Sequence, residues 1–228
     1  MNAMLRAAAV LTLLALGGCA LQRPVVAPAA NGTVALPPDQ LVALVKADAD
    51  RIDRSKDAAE RSRLLATATA NAQQCVAVAP DNGACHYEWA QVLGLTARER
   101  PVQAVALLKD MLASLKQADA LDPALDYAGP ARLTAVVLLR APGWPLGPGD
   151  PDAALVAAQR AVDRDPAYPP NLITLAQAQA KTDATAKARA SYEQARLAIA
   201  AWAGASPDAA ADRASWQHDI EQGLHDLP

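Results

Sequence analysis

The chain has no phenylalanine, and aromatic residues fill only 4% of its 228 positions. Without large rings, a core must be closed by small aliphatic side chains, and alanine dominates here. Alanine has the highest helix propensity, and its short side chain lets helices approach closely. Runs of β-branched residues and alternating apolar–polar patterns are scarce, which argues against a sheet. No basic excess exists either: 21 Lys and Arg face 24 Asp and Glu, for a net charge of −3. A nucleic-acid groove needs a basic face, so nucleic acid is not an expected partner. A glycine-rich phosphate loop, a nucleophile elbow and a paired-acid motif in supporting context are all missing. His86, His218 and His225 are scattered, and no carboxylate–histidine spacing surrounds them. They read as surface residues. The expectation is therefore a non-enzyme with no metal and no cofactor other than a covalent lipid.

That lipid is expected from the N-terminus. Arg6 and the free amine supply a positive end, and Ala7 to Leu16 form an apolar run too short to span a bilayer as a helix. Leu16-Gly17-Gly18-Cys19 follows and resembles the lipobox of bacterial lipoproteins. The resemblance implies cleavage before Cys19 and acylation of its sulfur, with residues 1–18 as the signal peptide. Ala20, where an aspartate would retain the chain at the inner membrane, implies sorting to the outer membrane on its periplasmic face. Several acyl chains, at about 0.8 kcal/mol per buried CH₂, hold a protein stably where one chain does not. Residues 19–37 read as a proline-rich tether with a reach of roughly 3.1 Å per residue. Asn31-Gly32-Thr33 matches a glycosylation sequon without that setting to give it meaning. No second apolar segment reaches membrane-spanning length.

With Cys19 acylated, Cys75 and Cys85 remain as an even pair in an oxidising compartment. They fall at the end of one expected helix and the start of the next, where Cα atoms come within disulfide range. The disulfide is the favoured reading. Two unpaired core thiols, or a metal site completed by His86, are the alternatives.

About 190 residues follow the tether, enough for one helical domain over 38–228. A small residue stands five positions before a proline in Cys75…Pro80, Ala118…Pro123 and Ala161…Pro166, so the proline recurs every 43 residues. A fourth copy keeps Ala188, Tyr192 and Ala195 without the proline, 34 residues beyond the third. Thirty-four is the tetratricopeptide period, and longer steps fit the same helix pair with a longer loop. Ala154, Ala158 and Ala161 lie on one helical face, as do Ala188, Tyr192 and Ala195, and Met111, Leu115 and Ala118. Helices are expected over 38–55, 57–77, 84–96, 101–120, 131–140, 151–163, 171–182, 184–203 and 207–225. Asp150-Pro151 and Ser206-Pro207 are start signals, and each X-Pro pair of the repeat is a stop. The expected fold is all-α, a right-handed superhelix of antiparallel helix hairpins.

Ala141 to Gly149 interrupt the pattern with three prolines and three glycines around Trp144. Such a loop is neither helix nor central strand. Trp144 is its only large side chain, so the expectation is that Trp144 packs on the flanking helices near Tyr127 or Tyr168. The other reading is a ligand-facing loop. Tyr127-Ala128-Gly129-Pro130 and Tyr168-Pro169-Pro170-Asn171 are irregular turns expected on one edge of the stack. Arg132 and Arg140 border these features. Tyr127, Arg132, Arg140, Trp144, Tyr168 and Asn171 are accordingly the candidate ligand- or partner-binding residues.

Asp122-Pro123, Asp126-Tyr127-Ala128-Gly129-Pro130, Arg132, Ala141-Pro142-Gly143-Trp144-Pro145 and Gly149-Asp150-Pro151 together resemble TatT-type lipoproteins. These are tetratricopeptide-like proteins associated with tripartite ATP-independent periplasmic (TRAP) transporters. The resemblance covers roughly residues 80–203. It implies an outer-membrane lipoprotein that binds a periplasmic solute-binding protein or a small ligand, and it carries no catalytic residues. Two functions are therefore in view. One is a non-enzymatic adaptor for a periplasmic or envelope protein. The other is a ligand-binding or docking component of a TRAP-type uptake system.

Overall fold

The proline-marked repeat ends three helices in the same way. The backbone N–H of Ala79 donates to Cys75 O, that of Asp122 to Ala118 O, and that of Asp165 to Ala161 O, at 2.8 to 3.0 Å. The three capping residues share one conformation, with φ between −145° and −135° and ψ between 70° and 86°. The proline that follows each cap forces it, because the residue before proline is pushed out of the helical region. The small residue that accepts each bond is buried in every copy.

The structure, a computed structural model, describes residues 36–202 and 209–228. The expected signal peptide, Cys19, the sequon, the expected tether up to residue 35 and the Ser206-Pro207 start signal lie outside those residues. The described chain is all-α, with no strand. In order the helices are α1 (Pro38–Arg54), α2 (Ala58–Val78), α3 (Gly83–Glu99), α4 (Ala104–Leu121), α5 (Leu125–Arg140), α6 (Pro151–Arg164), α7 (Pro169–Lys181), α8 (Thr185–Ala201) and α9 (Ala209–Asp226). A 3₁₀ turn, Pro101–Gln103, precedes α4. None of these helices is long and apolar enough to cross a membrane.

The pairs α1–α2, α3–α4, α5–α6 and α7–α8 pack most extensively, and the short connections fold each pair back on itself. Odd-numbered helices also pack on one another in series, α1 on α3, α3 on α5, α5 on α7 and α7 on α9. Even-numbered helices pack only on odd ones, apart from the 3.0 Å Arg160–Asp119 ion pair between α6 and α4. The result is four stacked hairpins and a closing helix. Its core is a row of small clusters, each shared by successive helices. Val45, Leu64 and Val92 centre one, Leu115 and Val137 the next, and Ile173, Ile199 and Ile220 the last. Ala154, Ala158, Ala161, Ala188 and Ala195 are wholly buried, so alanine sets the close approach of these helices.

One boundary moved for a physical reason. α7 starts at Pro169, not 171, because proline lacks only an N–H that the first turn leaves unpaired. The right-handed part of α5 begins only after Ala128, close to the expected 131, because Asp126, Tyr127 and Ala128 form a turn of opposite hand that joins it to α4. Asp150 caps α6 through its side chain and Asn82 caps α3, both to backbone N–H groups at 2.9 to 3.2 Å.

The Cys75–Cys85 disulfide is present, with Cα atoms 5.3 Å apart. It joins α2 to α3 beneath Leu41 of α1, and both residues are fully buried. The pairing removes both sulfurs from any metal site, and His86 Nε2 bonds Pro80 O at 2.7 Å.

Candidate functional site

Asp126, Tyr127 and Ala128 all have left-handed backbones, with φ of 48°, 55° and 64°. For residues with a Cβ this conformation costs about 1–2 kcal/mol each. Something must hold three in a row. Arg132, one turn further on, donates from Nη1 to Asp126 O at 3.0 Å and Tyr127 O at 3.2 Å. Its Nη2 lies 2.6 Å from Asp126 Oδ2. Tyr87 Oη of α3 donates to the same carboxylate at 2.5 Å. Asn171 of α7 accepts from Arg132 Nη1 and donates to Tyr127 O, Ala161 O and Asp165 O within 3.2 Å. The sharp turn thus has its carbonyls satisfied by a fully buried amide and a buried guanidinium. Gly129 completes it, since a Cβ there would stand 2.4 Å from Tyr87 Oη.

The turn sets the Tyr127 ring on that of Tyr168, with centroids 4.4 Å apart and planes 15° from parallel. Arg132 covers Tyr168 at 4.9 Å. Trp202 meets both tyrosines edge-on, and Trp216 of α9 meets Tyr168 and Trp202. Four of the chain's eight Trp and Tyr residues are therefore gathered at one place. Burial pushes the Tyr168 hydroxyl up to about 12, with Arg132 opposing and Asp126 adding to the shift. Tyr87 is raised too, by burial first and then by the Asp126 charge. Both stay protonated at neutral pH, so Tyr87 keeps the proton that it donates to Asp126.

Beside this node, the odd-helix layer carries a groove made of three neighbouring cavities that share lining residues. The largest, about 580 Å³, is walled by Leu95, Leu108, Leu133, Val136 and Val137. A second, of about 280 Å³, runs from Arg132 and Val136 past Ile173 to Trp216. A third, of about 470 Å³, reaches Lys181, Tyr192 and Asp219. Arg140 lines all three. Among the described residues no group of three or more His, Cys, Asp or Glu is arranged to hold a metal.

Tyr127, Arg132, Tyr168 and Asn171 come together at the node, and Arg140 stands in the groove. Trp144 does neither. It is 89% exposed, so the expected packing on the flanking helices near Tyr127 or Tyr168 is overturned. The loop is instead closed by its own backbone. Gly149 N–H donates to Pro142 O at 2.8 Å, Asp150 N–H to Leu138 O at 3.0 Å, and Leu146 N–H to Gly143 O at 3.0 Å. The glycines permit this closure, since a Cβ at Gly149 would lie 2.2 Å from Ala141 O. Trp202 and Trp216 were not anticipated. Neither sits in a motif, and their spacing of 14 residues bridges two helices.

Compared with models of known protein families and with curated proteins, the sequence matches none.

Proposed function

We propose that this chain is an outer-membrane lipoprotein, acylated at Cys19, whose helical stack is a non-enzymatic adaptor for a periplasmic or envelope protein. The observation that carries the reading is the row of three cavities along α3, α5, α7 and α9, each lined in part by Arg140. Stacked repeats build such extended surfaces because each repeat adds the same helix to the same layer. We read the stack as a right-handed, tetratricopeptide-like superhelix. The serial odd-helix contacts and the three matching helix ends support that reading.

A second reading, a component of a TRAP-type uptake system, is favoured by one feature. The α3–α4–α5 part of the groove has a volume within the range of small-ligand sites. The resemblance to TatT-type lipoproteins points the same way.

The test is reciprocal co-purification of the full-length protein, extracted from membranes, with one defined partner. Gln177→Trp fills the groove and should abolish co-purification while leaving the unfolding temperature unchanged. Undiminished binding by this variant would refute the adaptor groove. Cys19→Ser should release the protein from the membrane fraction.

A further inference from the structure

α5 and α9 both pack on α7 but not on one another, and a cavity of about 470 Å³ lies between them at the C-terminal end of α7. Its charged lining is sorted by helix. Arg140 is the last residue of α5 and Lys181 the last of α7, while Asp219 and Asp226 come from α9. The two acids are seven positions apart, so they share one face of α9. Two cations and two carboxylates thus line one cavity, and among the described residues no ion pair joins them. The helix ends explain the cations but not the acid. A C-terminal turn carries negative partial charge, which favours Arg140 and Lys181 where they stand and disfavours Asp226, the last residue of α9. The α9 wall therefore favours a positive group.

A buried hydroxyl marks the same place. Tyr192 of α8 is 2% exposed and lines the cavity, and its hydroxyl has no hydrogen-bond partner among the described residues. Nearly every buried polar group in a folded protein is paired. The ring tip is held against the backbone of α9, since a Cβ at Gly223 would stand 2.2 Å from Tyr192 Cζ and Oη. Gly223 lies four residues after Asp219 and three before Asp226, so the hydroxyl meets α9 between the two acids. Burial raises the Tyr192 hydroxyl above its usual value, and the Asp219 and Asp226 charges add to the shift.

We propose that this cavity binds a small zwitterion, an amino acid or a dipeptide. Its ammonium group sits on the α9 wall between Asp219 and Asp226 and donates to Tyr192 Oη. Its carboxylate pairs with Arg140, whose planar fork suits a carboxylate, and with Lys181. Gln177 and Gln222 line the same cavity and suit a polar side chain or a peptide group. A ligand with both charges meets each wall with its opposite, whereas a simple anion or cation also meets a like charge. A protein terminus supplies only one of the two. The volume falls in the range of small-molecule sites. This inference goes beyond the adaptor reading and does not depend on it.

Calorimetric titration of the full-length protein in detergent tests it, with the standard amino acids and their alanyl dipeptides as probes. At least one probe should bind saturably, and the better of each amino acid and its dipeptide identifies which of the two the cavity takes. Acetylating the amine of that probe, or amidating its carboxylate, should weaken binding at least about tenfold. Asp226→Asn should weaken the intact probe and leave the residual binding of the N-acetyl form unchanged. Arg140→Gln should weaken the intact probe and leave that of the amide unchanged. Tyr192→Phe should weaken binding about threefold or more with no fall in unfolding temperature, because its hydroxyl has no partner to lose. Three outcomes would overturn the proposal: no probe binds, the blocked forms bind as tightly as the free one, or the variants weaken blocked and free forms alike. Co-purification of a protein partner that persists in these variants would then leave the adaptor reading standing.

Discussion

Arg132 Nη1 and Asn171 Oδ1 lie 3.1 Å apart, joining two buried polar side chains that are 39 residues apart in sequence. Asn171 belongs to α7 and Arg132 to α5, and Arg132 also shares the Asp126 carboxylate with Tyr87 of α3. One node therefore ties three successive odd-numbered helices. It also holds the left-handed turn that places Tyr127 on Tyr168. The groove face keeps its geometry because this node cannot slide without breaking several charge-assisted bonds.

Removing the guanidinium should expose how much depends on it. Arg132→Ala leaves Asn171 Oδ1 and Asp126 O short of a donor, takes one of two donors from Tyr127 O and leaves the Asp126 carboxylate without its counter-charge. Its destabilisation should be about 3 kcal/mol, checked by urea unfolding. Arg132→Lys should recover little of this, because a single ammonium cannot aim at Asp126, Tyr127 and Asn171 together.

Glu88 is buried on α3, where its carboxylate accepts a hydrogen bond from Gln91 Nε2 at 3.2 Å. Burial raises its carboxyl from 4.5 to about 7, opposed by Lys46 and reinforced by Asp126 and Asp50. A raised value in the folded state favours the protonated form. The stability from this group is therefore complete below pH 4.5 and is lost as pH rises to about 7. Glu88→Gln should remove the loss. The variant's advantage over the parent should grow from pH 4.5 to 7 and then level off, at up to about 3 kcal/mol. A parallel pH dependence of the two unfolding curves would contradict this.

Trp144→Ala should change stability by less than about 0.5 kcal/mol, since the side chain is almost fully exposed. Gly149→Ala is the opposite case. Its Cβ would meet Ala141 O at 2.2 Å, so the loop should open and the unfolding temperature should fall. Thermal unfolding of the two variants side by side checks both.

The disulfide joins two buried cysteines ten positions apart in sequence. Neither thiol should label under denaturing conditions until a reductant is added. Reduction should cost roughly 2–3 kcal/mol. Labelling of both without reduction would show that the bond is absent.

Much of the framework is legible in the chain. The residue before each repeat proline is forced out of the helix, so Pro80, Pro123 and Pro166 mark three helix ends to within a residue or two. The edge shared by Tyr127 and Tyr168 is legible too, because each tyrosine follows an Asp-Pro stop. What stays hidden depends on contacts between distant segments. Nothing in Ala141 to Gly149 reveals that glycines at 147 and 149 let the loop close on its own carbonyls and leave Trp144 outside. Glu88 resembles a solvated residue, yet α3 is packed by α1, α2, α4 and α5, so even its polar positions are enclosed. The left-handed turn at Asp126 needs Tyr87 and Asn171, each about 40 residues away, and no local rule anticipates it.

Hydrogen exchange of the full-length protein, alone and with its co-purified partner, tests the adaptor account most directly. The account predicts added protection in α3, α5 and α7. Protection confined to α2, α4, α6 and α8 would contradict it.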